Sequence, residues 1–134
     1  MAVIAEPIAV LLHEGIGHGV TAYLRGAIPT ELTSNHLSSV YVDKWVQAGG
    51  TVVNLAVGAL ALALSRAAGP RANTRYFLWL LAALNLLPGA GDVGCAGGLG
   101  VGDWAAVIAG WPHPAVWRAG MALFGAALYG FLMW

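Results

Sequence analysis

The stretch from Leu12 to Tyr23 reads LHEGIGHGVTAY, and the prediction of the fold starts from it. It places three ionisable side chains, His13, Glu14 and His18, inside a long apolar segment. Ionisable groups in membrane-spanning segments are energetically costly and usually serve a function. Two imidazoles and one carboxylate so close together indicate a metal site in the first helix.

The composition is that of a membrane protein. Of the 134 residues, 59% are hydrophobic and 9% are charged, whereas soluble domains carry roughly 25% charged residues. We therefore predict an all-helical integral membrane protein, with the lipid bilayer as its surroundings and room for about four membrane helices. The six basic and six acidic residues cancel, so no nucleic-acid partner is indicated. A single cysteine, Cys95, excludes an internal disulfide.

The apolar runs predict one membrane domain over 1–134, with helices at about 2–25, 46–66, 74–88 and 114–134 and a short helix at about 103–110. The first helix is expected to end at Arg25-Gly26, a cationic last turn followed by glycine. The third is expected to stop at Pro88-Gly89, because proline and glycine interrupt helices. The glycine-rich stretch 89–102 then predicts an irregular break beside a polar centre.

Two polar segments separate these helices. Residues 27–44 predict a loop outside the membrane with a short strand or hairpin, because Ser39 to Val42 carries β-branched and aromatic residues. Residues 66–75 hold three arginines. The positive-inside rule predicts that this second loop faces the cytoplasm.

The spacing of the two histidines is irregular for a metal site on a helix. His13 and His18 are five residues apart, which is about 140° around a regular α-helix. A π-bulge at Gly15 to Gly17 would absorb one residue and align the two rings. Otherwise Glu14 and His18 share a face and would be the ligands. The alternative without a metal has both histidines bonded to neighbouring helices and Glu14 paired with Arg25 or Arg66.

Three segments in order carry a resemblance to a known family. They are His13 to His18 (HEGIGH) in the first helix, Gly50 to Asn54 (GTVVN) in the second, and Asn85 to Asp92 (NLLPGAGD) at the end of the third. Together they resemble the three signatures of the site-2 protease family of intramembrane zinc metallopeptidases. The resemblance covers roughly residues 11–94.

The resemblance implies a role for each matching residue. His13 and His18 would bind zinc, Glu14 would be the catalytic base, Asn54 would lie near the substrate carbonyl, and Asp92 would be the third ligand. The first motif has one more residue between its histidines than the family pattern, and Gly91 and Val93 flank Asp92 where the family prefers leucine and glycine.

Other residues remain candidates beside these. Asp103 is a rival third ligand, with a helix N-cap as its alternative role. Asn54 and Asn85 could instead hydrogen-bond between helices. His36 and His113 lie in loop-like sequence and are expected to be solvated.

Three functions are compatible with this sequence. One is a zinc-dependent intramembrane peptidase that receives a transmembrane peptide substrate in extended form against residues 39–42. Another is a non-catalytic accessory or scaffold subunit that binds other subunits of a larger membrane complex. In the third, His13 or His18 is an axial ligand to a haem or chlorin, which requires only one imidazole.

Overall fold

The computed structural model describes residues 1–33, 37–40 and 43–134. It is mostly helical with one small hairpin, and the elements follow in the order α1 (Ala2–Val10), a π-helix (Leu11–Val20), α2 (Thr21–Leu24), β1 (Pro29–Leu32), β2 (Leu37–Ser39), α3 (Lys44–Ala67), α4 (Ala72–Gly98), α5 (Asp103–Val107) and α6 (Pro114–Met133). Three helices of the described chain, α3, α4 and α6, are long and apolar enough to cross a membrane. The helical character predicted from the apolar runs is confirmed.

The first helical run is not a regular α-helix. Residues 2–24 are helical throughout, but Leu11–Val20 forms a π-helix between α1 and α2. A π-helix joins residues i and i+5, so side chains five apart lie above one another. The distortion predicted at Gly15 to Gly17 is therefore present, and it extends over ten residues.

The predicted stop of the third helix at Pro88-Gly89 is wrong. Helix α4 continues through Pro88 and the glycines that follow to Gly98. Two of these glycines, Gly94 and Gly97, allow close packing between α4 and α6. A side chain at Gly97 would collide with the backbone of α6 at Ala122, and one at Gly125 would collide with α4 at Gly94. Small residues let membrane helices approach where water cannot drive them together.

The predicted hairpin lies between the first helical run and α3. Strands β1 and β2 pair antiparallel, with Pro29 opposite Ser39 and a bulge between Pro29 and Glu31. The second strand ends at Ser39, and Val40 is a bend. Tyr41 and Val42, which complete the strand predicted at 39–42, lie outside the described residues.

Glycine also sets the contact between the π-helix and α3. A Cβ atom added to Gly17 would lie 2.5 Å from the Cα of Gly50 and 2.8 Å from the carbonyl oxygen of Gly49. The two backbones therefore touch without intervening side chains. This close contact brings the His/Glu cluster of the first helical run against α3.

Asp43 fixes the start of α3 beside that contact. Its carboxylate accepts hydrogen bonds from the backbone N–H groups of Trp45 and Val46, both at 3.0 Å, and from Arg25 Nε at 2.7 Å. Burial acts to raise the pKa of Asp43, but these donors outweigh it and hold the pKa below its usual value. The group therefore stabilises the fold when ionised.

We expect Asp43→Ala to lower the free energy of unfolding by about 1 kcal/mol, the usual cost of a lost N-cap. Because the pKa is lowered in the folded state, the stabilisation is complete at neutral pH and is lost as the pH falls below about 4. Thermal unfolding in mild detergent at pH 7 and at low pH measures both effects. Asp43→Asn is the matched control, since asparagine caps equally well; an equal loss in both variants would assign the effect to the Arg25 ion pair.

Candidate metal centre

Three side chains from two parts of the chain meet at one point. His13 Nε2 and His18 Nε2 are 3.1 Å apart, and Asp103 Oδ2 lies 3.6 Å from the first and 3.2 Å from the second. The three atoms form a nearly equilateral triangle. The π-helix supplies both imidazoles, and the start of α5 supplies the carboxylate.

The size of this triangle fits a small cation with tetrahedral coordination. Zinc binds imidazole nitrogen and carboxylate oxygen at roughly 2.0–2.2 Å, which places two tetrahedral ligands about 3.4 Å apart. The observed separations of 3.1, 3.2 and 3.6 Å bracket that value. Two imidazoles and one carboxylate leave a fourth position for water, as in catalytic zinc sites.

The ring of His18 is held in the orientation that a metal ligand needs. Its Nδ1 lies 2.6 Å from the carbonyl oxygen of Val46 on α3. In the tautomer that carries its proton on Nδ1, this N–H donates to the carbonyl, and the lone pair of Nε2 is then directed toward His13 and Asp103. A backbone carbonyl on the distal nitrogen is a common way to fix the tautomer of a metal-binding histidine. Nδ1 of His13 is buried and has no hydrogen-bond partner among the described residues.

Gly50 provides the space for both rings. A Cβ atom at this position would lie 2.5 Å from His13 Cε1 and 2.5 Å from His18 Nε2. Both distances are far below van der Waals contact. The imidazole pair can therefore meet only because α3 has no side chain at position 50.

Asp103 reaches the histidines because of the turn that precedes it. Gly102 has φ +92°, a conformation that favours glycine, and a Cβ atom at this position would collide with Asp92 Oδ1. The backbone N–H of Asp103 donates to Asp92 Oδ1 at 3.2 Å. Thr51 Oγ1 donates to Asp92 Oδ2 at 2.5 Å. Asp92 thus connects α3, α4 and the start of α5.

The structure places Asp92 behind the triangle instead of in it. Of the described residues, His13, His18 and Asp103 form the group that can hold a metal ion, and Asp92 supports the backbone of Asp103. The N-cap role considered for Asp103 is wrong, because Gly102 is the N-cap of α5 and no side chain caps that helix. Thr51 was not identified from the sequence. The available signal was a hydroxyl residue directly after Gly50 in the charge-free stretch 46–65.

The predicted catalytic residues lie beside the triangle. Glu14 is 8% exposed and lines two cavities together with His13. One cavity, of about 400 Å³, also includes His18, Asp103 and the hairpin residues Leu37 to Ser39. The other, of about 340 Å³, is mainly apolar and is lined by Asn54, Leu84 and Pro88.

Asn54 is a buried polar group without a complete set of partners. It is 4% exposed, and its Oδ1 has no hydrogen-bond partner among the described residues. Asn85 is fully buried and donates to the carbonyl oxygen of Leu81 in its own helix. The suggested interhelical bond of Asn85 is therefore replaced by a bond within α4.

Among the described residues, Arg25 and His113 do not line the cavity that holds the triangle. Arg25 pairs with Asp43, so the alternative in which Arg25 neutralises Glu14 is wrong. His113 is exposed and precedes α6. His36 lies outside the described residues.

The electrostatics of Asp103 suit a ligand to a cation. Burial acts to raise the pKa of this carboxyl group, but the hydrogen bonds to His13 and His18 outweigh burial and hold the pKa well below its usual range. Asp103 is therefore a carboxylate at neutral pH, and its Oδ2 faces the Nε2 atoms of His13 and His18.

Comparison of the chain with family models, with curated proteins and with solved structures finds no match. The geometry of the site is thus the basis for the functional proposal.

Proposed function

We propose that this chain is a zinc-dependent intramembrane peptidase of the site-2 protease type. The observation that carries the proposal is the triangle of His13 Nε2, His18 Nε2 and Asp103 Oδ2, with sides of 3.1 to 3.6 Å. Support also comes from the apolar helices that enclose it and from the buried carboxyl group of Glu14 in the same cavity.

The helical run over residues 2–24 is the fourth membrane span in this proposal. It holds 23 residues, and about 20 apolar residues suffice to cross the hydrocarbon core. The chain then crosses four times, with the hairpin on one side and the arginine-rich loop at 66–75 on the other. The positive-inside rule places the arginine loop in the cytoplasm.

Zinc at this position would act as a Lewis acid and lower the pKa of a bound water. Asp103 and the two histidines would hold the ion, and Asp92 would keep Asp103 in position through its backbone N–H. Glu14 would serve as the general base for a water in this cavity. In this scheme Asn54 donates to the carbonyl oxygen of the substrate.

The substrate is a transmembrane peptide in extended form. The hairpin residues Leu37, Ser38 and Ser39 line the same cavity as the histidines. A peptide that adds to the hairpin as a further strand has its backbone hydrogen bonds satisfied while it lies beside the triangle. The apolar cavity beside Leu84 and Pro88 would receive a side chain of the substrate.

The geometry favours a small ion over a haem or chlorin. Both imidazole Nε2 atoms point at each other and at Asp103, whereas an axial ligand directs one nitrogen at the open face of a macrocycle. A scaffold subunit would differ from the peptidase in two properties: it would bind other membrane subunits, and it would cleave no substrate.

Metal analysis tests the site. The protein purified in mild detergent is expected to hold about one zinc per chain, because three protein ligands and a water complete a catalytic site. His18→Ala should lose the metal, whereas His113→Ala, a matched histidine outside the cavity, should keep it. Absence of stoichiometric metal from the unaltered protein, with zinc supplied, would contradict the proposal.

Activity is tested separately with Glu14→Gln. We expect this variant to retain zinc. It should cleave a tagged single-span peptide at least about 100-fold more slowly, the usual size of a general-base contribution. Gel analysis of the products in proteoliposomes measures the rate. Zinc binding without cleavage by the unaltered protein, together with co-purification of stoichiometric membrane subunits in mild detergent, would favour the scaffold role instead.

A further inference from the structure

Two arginines lie at the end of α3 that is far from the histidines. Arg66 in the last turn of α3 and Arg75 in the first turn of α4 line one cavity of about 570 Å³. Of the described residues, no carboxylate lines this cavity or pairs with either arginine. The first turn of α4 also lacks an acidic residue and a side-chain cap, so its positive dipole end adds to the charge.

This basic cavity continues into an apolar groove. Leu62 and Trp79 line the basic cavity and also a second cavity of about 360 Å³. The second cavity lies deeper along the helices, and its other lining residues are all apolar: Ala82, Ala83, Leu86, Leu87, Leu132 and Met133. The two cavities together form a basic entrance that leads to an apolar groove between α3, α4 and α6.

The position of the entrance corresponds to a membrane surface. It lies at the short connection between two helices that are long enough to cross a bilayer. Tyr76 and Trp79 stack there with ring centroids 6.2 Å apart. Tyrosine and tryptophan are enriched at the depth of the lipid headgroups, and basic pockets between membrane helices bind anionic headgroups.

We propose that this surface is a binding site for an anionic phospholipid. The phosphate of the headgroup binds Arg66 and Arg75, and one acyl chain lies in the groove past Leu62 and Trp79. Charge complementarity identifies the occupant, since two cations without a counter-ion open directly onto a groove that suits an acyl chain. The site lies at the far end of α3 from the histidines and does not depend on the zinc site.

Lipid titration followed by native mass spectrometry tests the proposal. The protein in an uncharged detergent is titrated with phosphatidylglycerol and with phosphatidylcholine of the same chain length. We expect Arg66→Gln combined with Arg75→Gln to weaken phosphatidylglycerol binding by about 30-fold, or about fivefold for each arginine. Arg71→Gln is the matched control, because Arg71 belongs to the same loop but does not line the cavity.

Two further measurements separate the possible ligands. A large excess of inorganic phosphate should not displace the lipid, because free phosphate has no acyl chain for the groove. Phosphatidylglycerol brominated on its acyl chains should quench fluorescence of the protein, and Trp79→Phe should remove that quenched component. Equal binding of the two lipids, or equal losses in the Arg71 variant and the double variant, would overturn the proposal.

Discussion

Replacement of Gly50 by alanine is expected to abolish zinc binding while the helices remain assembled. The added methyl group would lie 2.5 Å from His18 Nε2 and from His13 Cε1. The rings must turn away from it, and a ligand displaced by 1 Å no longer reaches the ion. Since loss of a group that only orients a ligand costs 10- to 100-fold in affinity, displacement of two ligands should cost at least about 100-fold.

Competition with a chromophoric chelator measures the affinity of this variant, and circular dichroism with thermal unfolding reports its fold. Gly120→Ala is the matched control, because a side chain at Gly120 has no neighbour within 4 Å. Gly17→Ala should instead lower thermal stability, because its methyl group would collide with the backbone of α3 and loosen the contact between the two helices. Zinc affinity of the Gly50 variant within threefold of the original would mean that the imidazole pair is not the site.

The second large effect is expected for Asp103→Asn. Asparagine keeps the shape of the side chain but removes the charge of a ligand, so zinc affinity should fall by at least about 100-fold. Asp92→Asn should have a smaller effect, about 10- to 100-fold, because Asp92 acts through the backbone N–H of Asp103 and through Thr51. The same chelator competition gives both values.

The variant with the larger loss of zinc affinity identifies the aspartate that is the ligand. The resemblance of the sequence implied Asp92, whereas the distances favour Asp103. A larger loss for the Asp92 variant would show that the turn at Gly102 rearranges when the metal binds. Glu31→Gln is a suitable control, because this exposed carboxylate on β1 does not line the cavity.

The sequence predicted the helices well where a long apolar run ended in charges. Such runs can bury their backbone polar groups only as helices in a membrane. The end of α4 was not predictable in the same way. Pro88 and the glycines after it suggest a break, but α4 remains helical to Gly98, where Gly94 and Gly97 lie in close contact with α6. That contact joins residues far apart in the chain, so no local pattern reveals it.

Two of the three residues in the triangle, His13 and His18, were predicted as ligands from the sequence. The irregular spacing of His13 and His18 required a distortion for metal binding, and the π-helix supplies it. The third ligand could not be chosen, because Asp92 and Asp103 both follow glycine in one glycine-rich stretch. The left-handed turn at Gly102 and the bond from Thr51 separate their roles, and both are tertiary features.

The π-helix also determines which face of α1 packs against its neighbour α4. The buried residues of α1 are Ala5 and Ala9, and α1 packs on α4, whereas the π-helix packs on α3. Deletion of one residue between the histidines would restore four-residue spacing but would rotate α1 by about 100°, and Ala5 and Ala9 would turn away from α4. The extra residue therefore rotates the helical run between its two halves, so that α1 can pack on α4 while the π-helix packs on α3.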